Sequence, residues 1–113
     1  MDRAPFQLPP HPHEREITAK YFRGLGDPTR LAILELLRGG ERYVGELVEL
    51  LDSRQPQISN HLAVLRWCGF VKTRRDHRTI YYSIADERVS QMIDGARALL
   101  ADNDAHHDAI DGR

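Results

Sequence analysis

The fold is decided by the stretch VGELVELLDSRQPQISNHLAVLRWCGFVKTRRDHRTIYYSI, which runs from Val44 to Ile84. Two helical patterns lie close together in its first half, and a short two-stranded pattern rich in arginine fills its second half. Small domains use this order to place a helix in the major groove of DNA with a β-ribbon beside it. The stretch therefore predicts a helix-turn-helix followed by a β-hairpin wing.

The second helix of this pair has one apolar face and one polar face. It is predicted from about Arg54 to Trp67, with Asp52 and Ser53 as its caps. Its inner face carries apolar residues at helical spacing, namely Ile58, Leu62 and Leu65. Side chains that form hydrogen bonds occupy its outer face: Arg54, Gln55, Gln57, Ser59, Asn60, His61 and Arg66. Because reading base edges requires such side chains, we predict that this face contacts DNA.

Three residues in this helix and just after it are interpreted individually. His61 either contacts a base or phosphate, or packs on the helix surface beside Arg54. Cys68 is predicted to be a small buried apolar residue, and a redox role would need a thiol from another molecule. Trp67 is predicted to pack beneath the hairpin.

The charge is unevenly distributed along the chain. The whole chain has a net charge of −1, yet the segment from Arg54 to Arg78 holds six basic residues and one acidic residue, or +5. A basic segment on an otherwise acidic chain directs one face toward phosphates. The alternative is a charged hairpin that only meets solvent.

The flanking elements follow from caps and periodicity. A first helix is predicted from about Glu14 to the glycines at positions 24 and 26, and a second from Pro28, capped by Asp27, to Gly39 and Gly40. A third helix covers Val44–Leu51. The wing strands are predicted as Phe70–Arg75 and Arg78–Ile84, joined at Asp76-His77, and a last helix follows a cap at Asp86.

The chain reads as one domain with two flexible ends. We predict a flexible arm at residues 1–13, which hold four prolines, a folded domain at 14–102, and a polar tail rich in Asp and His at 103–113. The apolar stripe of the last helix is too rich for a helix facing water, which predicts a dimer interface. No apolar run is long enough for a membrane span or a signal peptide, so we expect a cytoplasmic protein without membrane partners.

Four segments in series resemble the ArsR/SmtB family of bacterial winged-helix transcriptional regulators. They are LGDPTRLAILELL (25–37), VGELVELL (44–51), QPQISNHLAVLRWCGFV (55–71) and RRDHRTIYYSI (74–84). The resemblance implies a mainly α winged helix-turn-helix of about five helices and two strands, which dimerises through its first and last helices. It also implies a repressor that occupies an inverted-repeat operator on double-stranded DNA and is released by an inducer.

The resemblance also implies which residues contact DNA. The groove positions of the family fall on Gln55, Gln57, Ser59, Asn60 and His61. Pro56 stands where many members have Ser or Thr. The wing positions fall on Arg74, Arg75, His77 and Arg78, and many members have glycine where this chain has His77.

The metal sites common in the family are absent or incomplete in this sequence. The segment Tyr43–Leu50 lacks the Cys-x-Cys pattern, Val64 replaces one of two paired cysteines, and Arg88 and Leu99 cannot act as ligands on the last helix. Four histidines near the ends remain as candidates for binding Ni, Co or Zn as an effector: His11, His13, His106 and His107. The alternative is that these histidines are only solvated.

Two other functions are considered for this sequence. A winged helix can serve as a protein-interaction module without DNA, because a fold does not fix a function. A regulator could also respond to an inducer that is not a metal. An enzyme is disfavoured, because the sequence has no Ser/His/Asp set, phosphate-binding loop or paired carboxylates in a cleft-forming pattern.

Overall fold

The computed structural model describes residues 12–103, and the side chains of residues 13–103. Five helices and a three-stranded antiparallel sheet make up this part of the chain. In chain order they are α1 (Pro12–Leu25), α2 (Pro28–Leu37), β1 (Arg42–Tyr43), α3 (Val44–Leu51), α4 (Gln55–Trp67), β2 (Val71–Asp76), β3 (Thr79–Ile84) and α5 (Glu87–Asp102). The fold is a winged helix-turn-helix, as predicted. Apart from residues 12, 13 and 103, the predicted arm and tail lie outside the described residues.

The predicted caps of α2 and α5 are confirmed. The Asp27 carboxylate accepts a hydrogen bond from the backbone N–H of Arg30 at 3.0 Å, and Pro28 occupies the first helical position. The Asp86 carboxylate accepts one from the backbone N–H of Arg88 at 2.9 Å. Each cap satisfies an N–H group that has no partner within its helix.

The predicted cap of α4 is wrong. Asp52 ends α3 instead, in the left-handed conformation with φ of 50°. The residue at the start of α4 is Arg54, whose side chain makes no capping bond. The Ser53 hydroxyl bonds the Gln57 side-chain amide oxygen at 3.1 Å rather than a backbone N–H.

Gly69 turns the chain from α4 into the sheet. Its φ is 84°, a conformation that glycine adopts without a steric penalty. The N–H of Gly69 bonds to the carbonyl of Arg66 at 3.0 Å, and the N–H of Phe70 bonds to that of Leu65 at 2.9 Å. This pair of bonds is the Schellman motif, which satisfies carbonyls at the end of a helix.

The wing differs from its prediction in register and in strand number. Strand β3 lies between β1 and β2, and β2 pairs with β3 from Val71 opposite Ile84 to Asp76 opposite Thr79. The two turn residues are therefore His77 and Arg78, one position later than predicted, and His77 takes a positive φ of 59°. Strand β1 was missed because two residues are too few to show the alternation of a strand.

The core forms around α4. Its members come from every helix except α1: Ile33, Leu34, Leu37, Leu47, Ile58, Leu62, Leu65, Cys68, Phe70, Val71, Val89 and Ile93. The predicted inner face of α4 and the predicted burial of Cys68 are confirmed. No helix within residues 12–103 is long and apolar enough to cross a membrane.

The prediction for Trp67 is wrong. Its side chain is 72% exposed, and the Lys20 ammonium lies 5.0 Å from the centre of its ring. Residues two apart on a helix point to different sides, so Trp67 cannot share the buried direction of Leu65. Cys68, three residues after Leu65, does share it.

Candidate nucleic-acid interface

The beginning of α4 presents a polar face to solvent. Six of its seven predicted contact residues are exposed: Arg54, Gln55, Gln57, Ser59, Asn60 and Arg66. Ile58, Leu62 and Leu65 fix this orientation, because all three are fully buried on the opposite side. Arg66 lies twelve residues after Arg54, or roughly 18 Å along the helix, so the two arginines cannot contact the same base pair.

His61 does not pack beside Arg54, which was one of its two predicted interpretations. Its ring is half-buried, with Nδ1 3.3 Å from Nη1 of Arg30 and 3.8 Å from the Asp27 carboxylate. Its neighbour is therefore Arg30 of α2 and not Arg54. Because a guanidinium only donates hydrogen bonds, Nη1 of Arg30 can bond to Nδ1 only in the tautomer whose Nδ1 carries no proton.

Arg30 joins three helices, and the sequence reasoning missed it. Its Nε donates to the carbonyl of Gly24 at 2.7 Å and its Nη2 to that of Arg23 at 3.1 Å. These carbonyls belong to the last turn of α1, where acceptors lack partners and a cation is favoured. With its contact to His61, the guanidinium connects α1 and α2 to α4. A signal was present in the sequence, because Arg30 is the one charged residue in the run PTRLAIL.

The contacts around Arg30 also affect the pKa of Asp27. The hydrogen bond from the Arg30 N–H, and then the charges of His61 and Arg30, lower the pKa of this carboxyl, although burial opposes them. Asp27 therefore stays ionised at neutral pH, next to the ring of His61.

Arg74 braces the wing rather than extending from it. Its guanidinium bonds the Glu41 carboxylate, with Nε 2.9 Å from Oε2, and lies 4.7 Å from the ring centre of Tyr81. This hydrogen bond lowers the pKa of Glu41 and raises that of Arg74. The bracing ties the segment before β1 to β2.

The other predicted wing residues are exposed around the turn. Arg75 is at the end of β2, and His77 and Arg78 form the turn itself. The His77 ring lies 2.8 Å from the Asp76 carboxylate. Within residues 13–103, Arg75 and Arg78 have no side-chain hydrogen bond or ion pair, so their charges face solvent.

The metal-site predictions are only partly within reach of the structure. His11, His106 and His107 lie outside the described residues. His13 lies exposed in the first turn of α1, 3.9 Å from the Glu16 carboxylate. In the described part of the chain, no three His, Cys, Asp or Glu residues form a group that could hold a metal ion. Burial raises the pKa of the Cys68 thiol, which keeps it protonated at neutral pH.

Apolar side chains are exposed along α1 and α5. Only Val89 and Ile93 of α5 are buried. Two ion pairs, Arg38 with Asp94 and Arg97 with Glu35, hold α5 against α2. The exposed apolar residues on the two helices are Ile17, Tyr21, Phe22, Met92, Leu99 and Leu100.

The fold and this site define a winged helix-turn-helix regulator of transcription that binds DNA. The model of the family described as bacterial regulatory protein, arsR family, matches residues 27–73. A probable mercury resistance operon repressor of Streptomyces lividans is 46% identical over 90 residues, covering 80% of this chain and 72% of that protein. The chain therefore belongs to the arsR family, which consists of transcriptional regulators and not enzymes.

Solved structures agree with this assignment. The crystal structure of M. tuberculosis Rv0081 has a TM-score of 0.78 at 35% identity, over 86% of this chain and 97% of that one. The solution structure of the homodimeric winged helix-turn-helix DNA-binding domain of Mb0332 from Mycobacterium bovis has a TM-score of 0.73 at 28% identity. It covers 88% of this chain and 92% of the other.

Proposed function

We propose that the protein is a homodimeric repressor that binds an inverted-repeat operator, with α4 in the major groove and the wing beside it. The observation that carries this proposal is the solvent-facing polar surface at the beginning of α4, set beside a wing in which Arg75 and Arg78 have no side-chain partner among the described residues. A recognition helix reads bases with residues near its N-terminus, while cations beside it hold the phosphates.

The site residues divide between these two roles. Gln55, Gln57, Ser59 and Asn60 read base edges, because they lie in the first half of α4. Arg54, Arg75, His77 and Arg78 bind phosphates, and His61 donates to a phosphate from Nε2. Arg66 reaches the DNA backbone farther along the groove, and Arg74 holds the wing in place through Glu41.

The dimer forms through α1 and α5. Their exposed apolar side chains give this chain a surface that a second copy would cover, as in a two-fold interface where the same patch serves both subunits. The Mb0332 domain is a homodimer, which supports dimerisation of this chain. A two-fold dimer places its recognition helices about 34–36 Å apart, one turn of DNA, which matches an inverted repeat.

Fluorescence anisotropy with the DNA upstream of the gene tests the proposal. Arg75→Ala should weaken binding to all sequences alike. It should also reduce the slope of the logarithm of the affinity against the logarithm of the salt concentration by about 1, because one phosphate contact is lost. Gln57→Ala should instead cost roughly 1–3 kcal/mol on the operator and relax the choice of base. Arg15→Ala removes the same charge from a residue that is not among the predicted DNA contacts, so it serves as the control.

Two results would contradict the proposal. A uniform loss in both variants would overturn the division between base readers and phosphate contacts. Weak binding that does not depend on salt or sequence would instead favour a protein-interaction module.

A metal effector forms the second part of the proposal. The Streptomyces lividans relative is named for mercury resistance, and this chain carries four histidines near its ends. We therefore propose that Ni²⁺, Co²⁺ or Zn²⁺ changes operator affinity through His11, His13, His106 and His107. A ten-fold shift, about 1.4 kcal/mol of coupling, that disappears when the four histidines are replaced by alanine would support it. No shift with any of the three ions would favour an inducer that is not a metal.

A further inference from the structure

A cavity of about 580 Å³ lies between α1 and α4. Its lining combines three cations, Lys20, Arg23 and Arg30, with the apolar side chains of Ala63, Val64 and Trp67. Among the described residues, no acidic side chain lines it. The cavity thus combines positive charge with apolar surface at one place.

The outward face of α4 changes character at this cavity. Before His61 the exposed residues other than Pro56 carry side chains capable of hydrogen bonding, whereas after it Val64 is 37% exposed and Trp67 is 72% exposed. Exposed apolar surface that is contiguous and rimmed by polar residues marks a site of interaction more often than a single exposed apolar residue does. DNA phosphates require no such apolar surface, but an organic ligand with an apolar body does.

Arg30 has capacity left for a ligand. A guanidinium has five N–H groups, and three of them are directed at the carbonyls of Gly24 and Arg23 and at the ring of His61. Two N–H groups have no partner among residues 13–103. Lys20 and Arg23 add two further cations to the lining of the cavity.

We propose that this cavity binds a small organic acid, a carboxylate on an apolar ring or chain, and that its occupancy weakens DNA binding. The carboxylate meets the three cations, and the apolar body lies on Val64 and Trp67. A ligand between α1 and α4 changes the position of the recognition helix relative to α1, and Arg30 carries the change to His61. This regulatory step rests on the proposed function as a DNA-binding dimer, whereas the binding step does not.

The fluorescence of Trp67 measures the binding step directly, because it is the single tryptophan of the chain. The purified protein is titrated without DNA with cyclohexanecarboxylate, octanoate and 3-phenylpropionate, and separately with the uncharged amide of each. We expect a saturable change with at least one acid and at least ten-fold weaker binding of its amide. Lys20→Gln and Arg23→Gln should each weaken that acid three-fold or more, and both residues are exposed, so the fold should tolerate the changes.

Arg15→Gln provides the matched control, because it removes a charge from the same helix outside the cavity. It should leave the affinity for the acid unchanged. The proposal is overturned if none of the three acids binds, if the amides bind as tightly as the acids, or if Arg15→Gln weakens binding as much as Arg23→Gln.

Anisotropy on the upstream DNA tests the regulatory step. A saturating acid should weaken DNA binding by the unsubstituted protein at least three-fold. The Arg23→Gln variant should need a correspondingly higher acid concentration for the same loss of DNA binding. Without acid, Lys20→Gln and Arg23→Gln should bind DNA with unchanged affinity. If they bind DNA more weakly and no acid binds, the three cations serve phosphates and the proposal fails. If the acid binds but DNA affinity does not change, the regulatory step is wrong. If the acid binds and no DNA does, the proposed function fails while the binding site stands.

Discussion

Gly24 is a point of close approach between α1 and the end of α4. A Cβ atom at this position would lie 2.8 Å from Sγ of Cys68 and 3.2 Å from a ring carbon of Phe70. Both partners are buried, so neither can move freely into solvent. We therefore predict that Gly24→Ala destabilises the protein, although the same change stabilises most helices.

The expected magnitude follows from two opposing effects. Alanine is favoured over glycine inside a helix by up to about 1 kcal/mol. Forcing an additional carbon into a packed core costs roughly 1–3 kcal/mol. The clash with Sγ is shorter than real Cβ contacts allow, so the cost should prevail, with a net loss of about 1–2 kcal/mol in the free energy of unfolding.

The second variant, Cys68→Ala, tests whether the sulfur is the cause. Alone it removes one buried atom, which costs about 1 kcal/mol. In the double variant the new methyl group occupies the space that Sγ leaves, and only a shift of a few tenths of an ångström by Phe70 is still needed. The double variant should therefore be more stable than the sum of the two single changes by about 1–2 kcal/mol.

Urea unfolding followed by far-UV circular dichroism measures all four proteins. The protein concentration is held constant, because dissociation of a dimer contributes to apparent stability. If the two changes add within about 0.5 kcal/mol, Gly24 and Cys68 do not interact and the close approach of α1 to α4 is refuted.

Three further predictions concern single residues. Trp67→Ala should change the free energy of unfolding by less than about 0.5 kcal/mol in urea, since the ring is exposed, whereas a loss above about 3 kcal/mol would indicate a buried ring. Arg30→Gln should lower the free energy of unfolding by about 1.5–3 kcal/mol in the same assay, because the carbonyls at the end of α1 and the His61 ring lose a charged donor. Arg30→Lys should restore little of this stability, since an ammonium cannot bridge the three acceptors. Asp86 has its pKa lowered from 3.8 to about 2, chiefly by the hydrogen bond from the Arg88 side chain. Its stabilising effect should be complete above pH 3.8 and should be lost as the pH falls through about 2, so acid unfolding of Asp86→Asn should show a smaller pH dependence in this window.

Several features of the fold could be read from the sequence because they depend on neighbours in the chain. The caps at Asp27 and Asp86 act on N–H groups two or three residues later. The buried face of α4 follows from the spacing of Ile58, Leu62 and Leu65 along one helix. The exposure of Trp67 could have been read in the same way, since its angle from Leu65 is set by the helix alone.

Other features of the candidate interface could not be read locally. The turn of the wing moved by one residue, because its position depends on the pairing of Asp76 with Thr79 and not on the turn residues alone. Strand β1 exists only through its pairing with β3. The role of Arg74 as a brace was also invisible, since its partner Glu41 lies 33 residues away.

The sequence by itself determined the helices, the caps of α2 and α5, the polar face of α4 and the basic wing, because each follows from periodicity, capping or charge over a short span of chain. Tertiary structure decided which side chains meet: Arg30 with His61 across 31 residues, Gly24 against Cys68, and the cationic cavity between α1 and α4. The physical reason is that such contacts depend on the distances and angles at which helices pack. Those are set by the shapes of buried side chains throughout the core, and no local pattern records them.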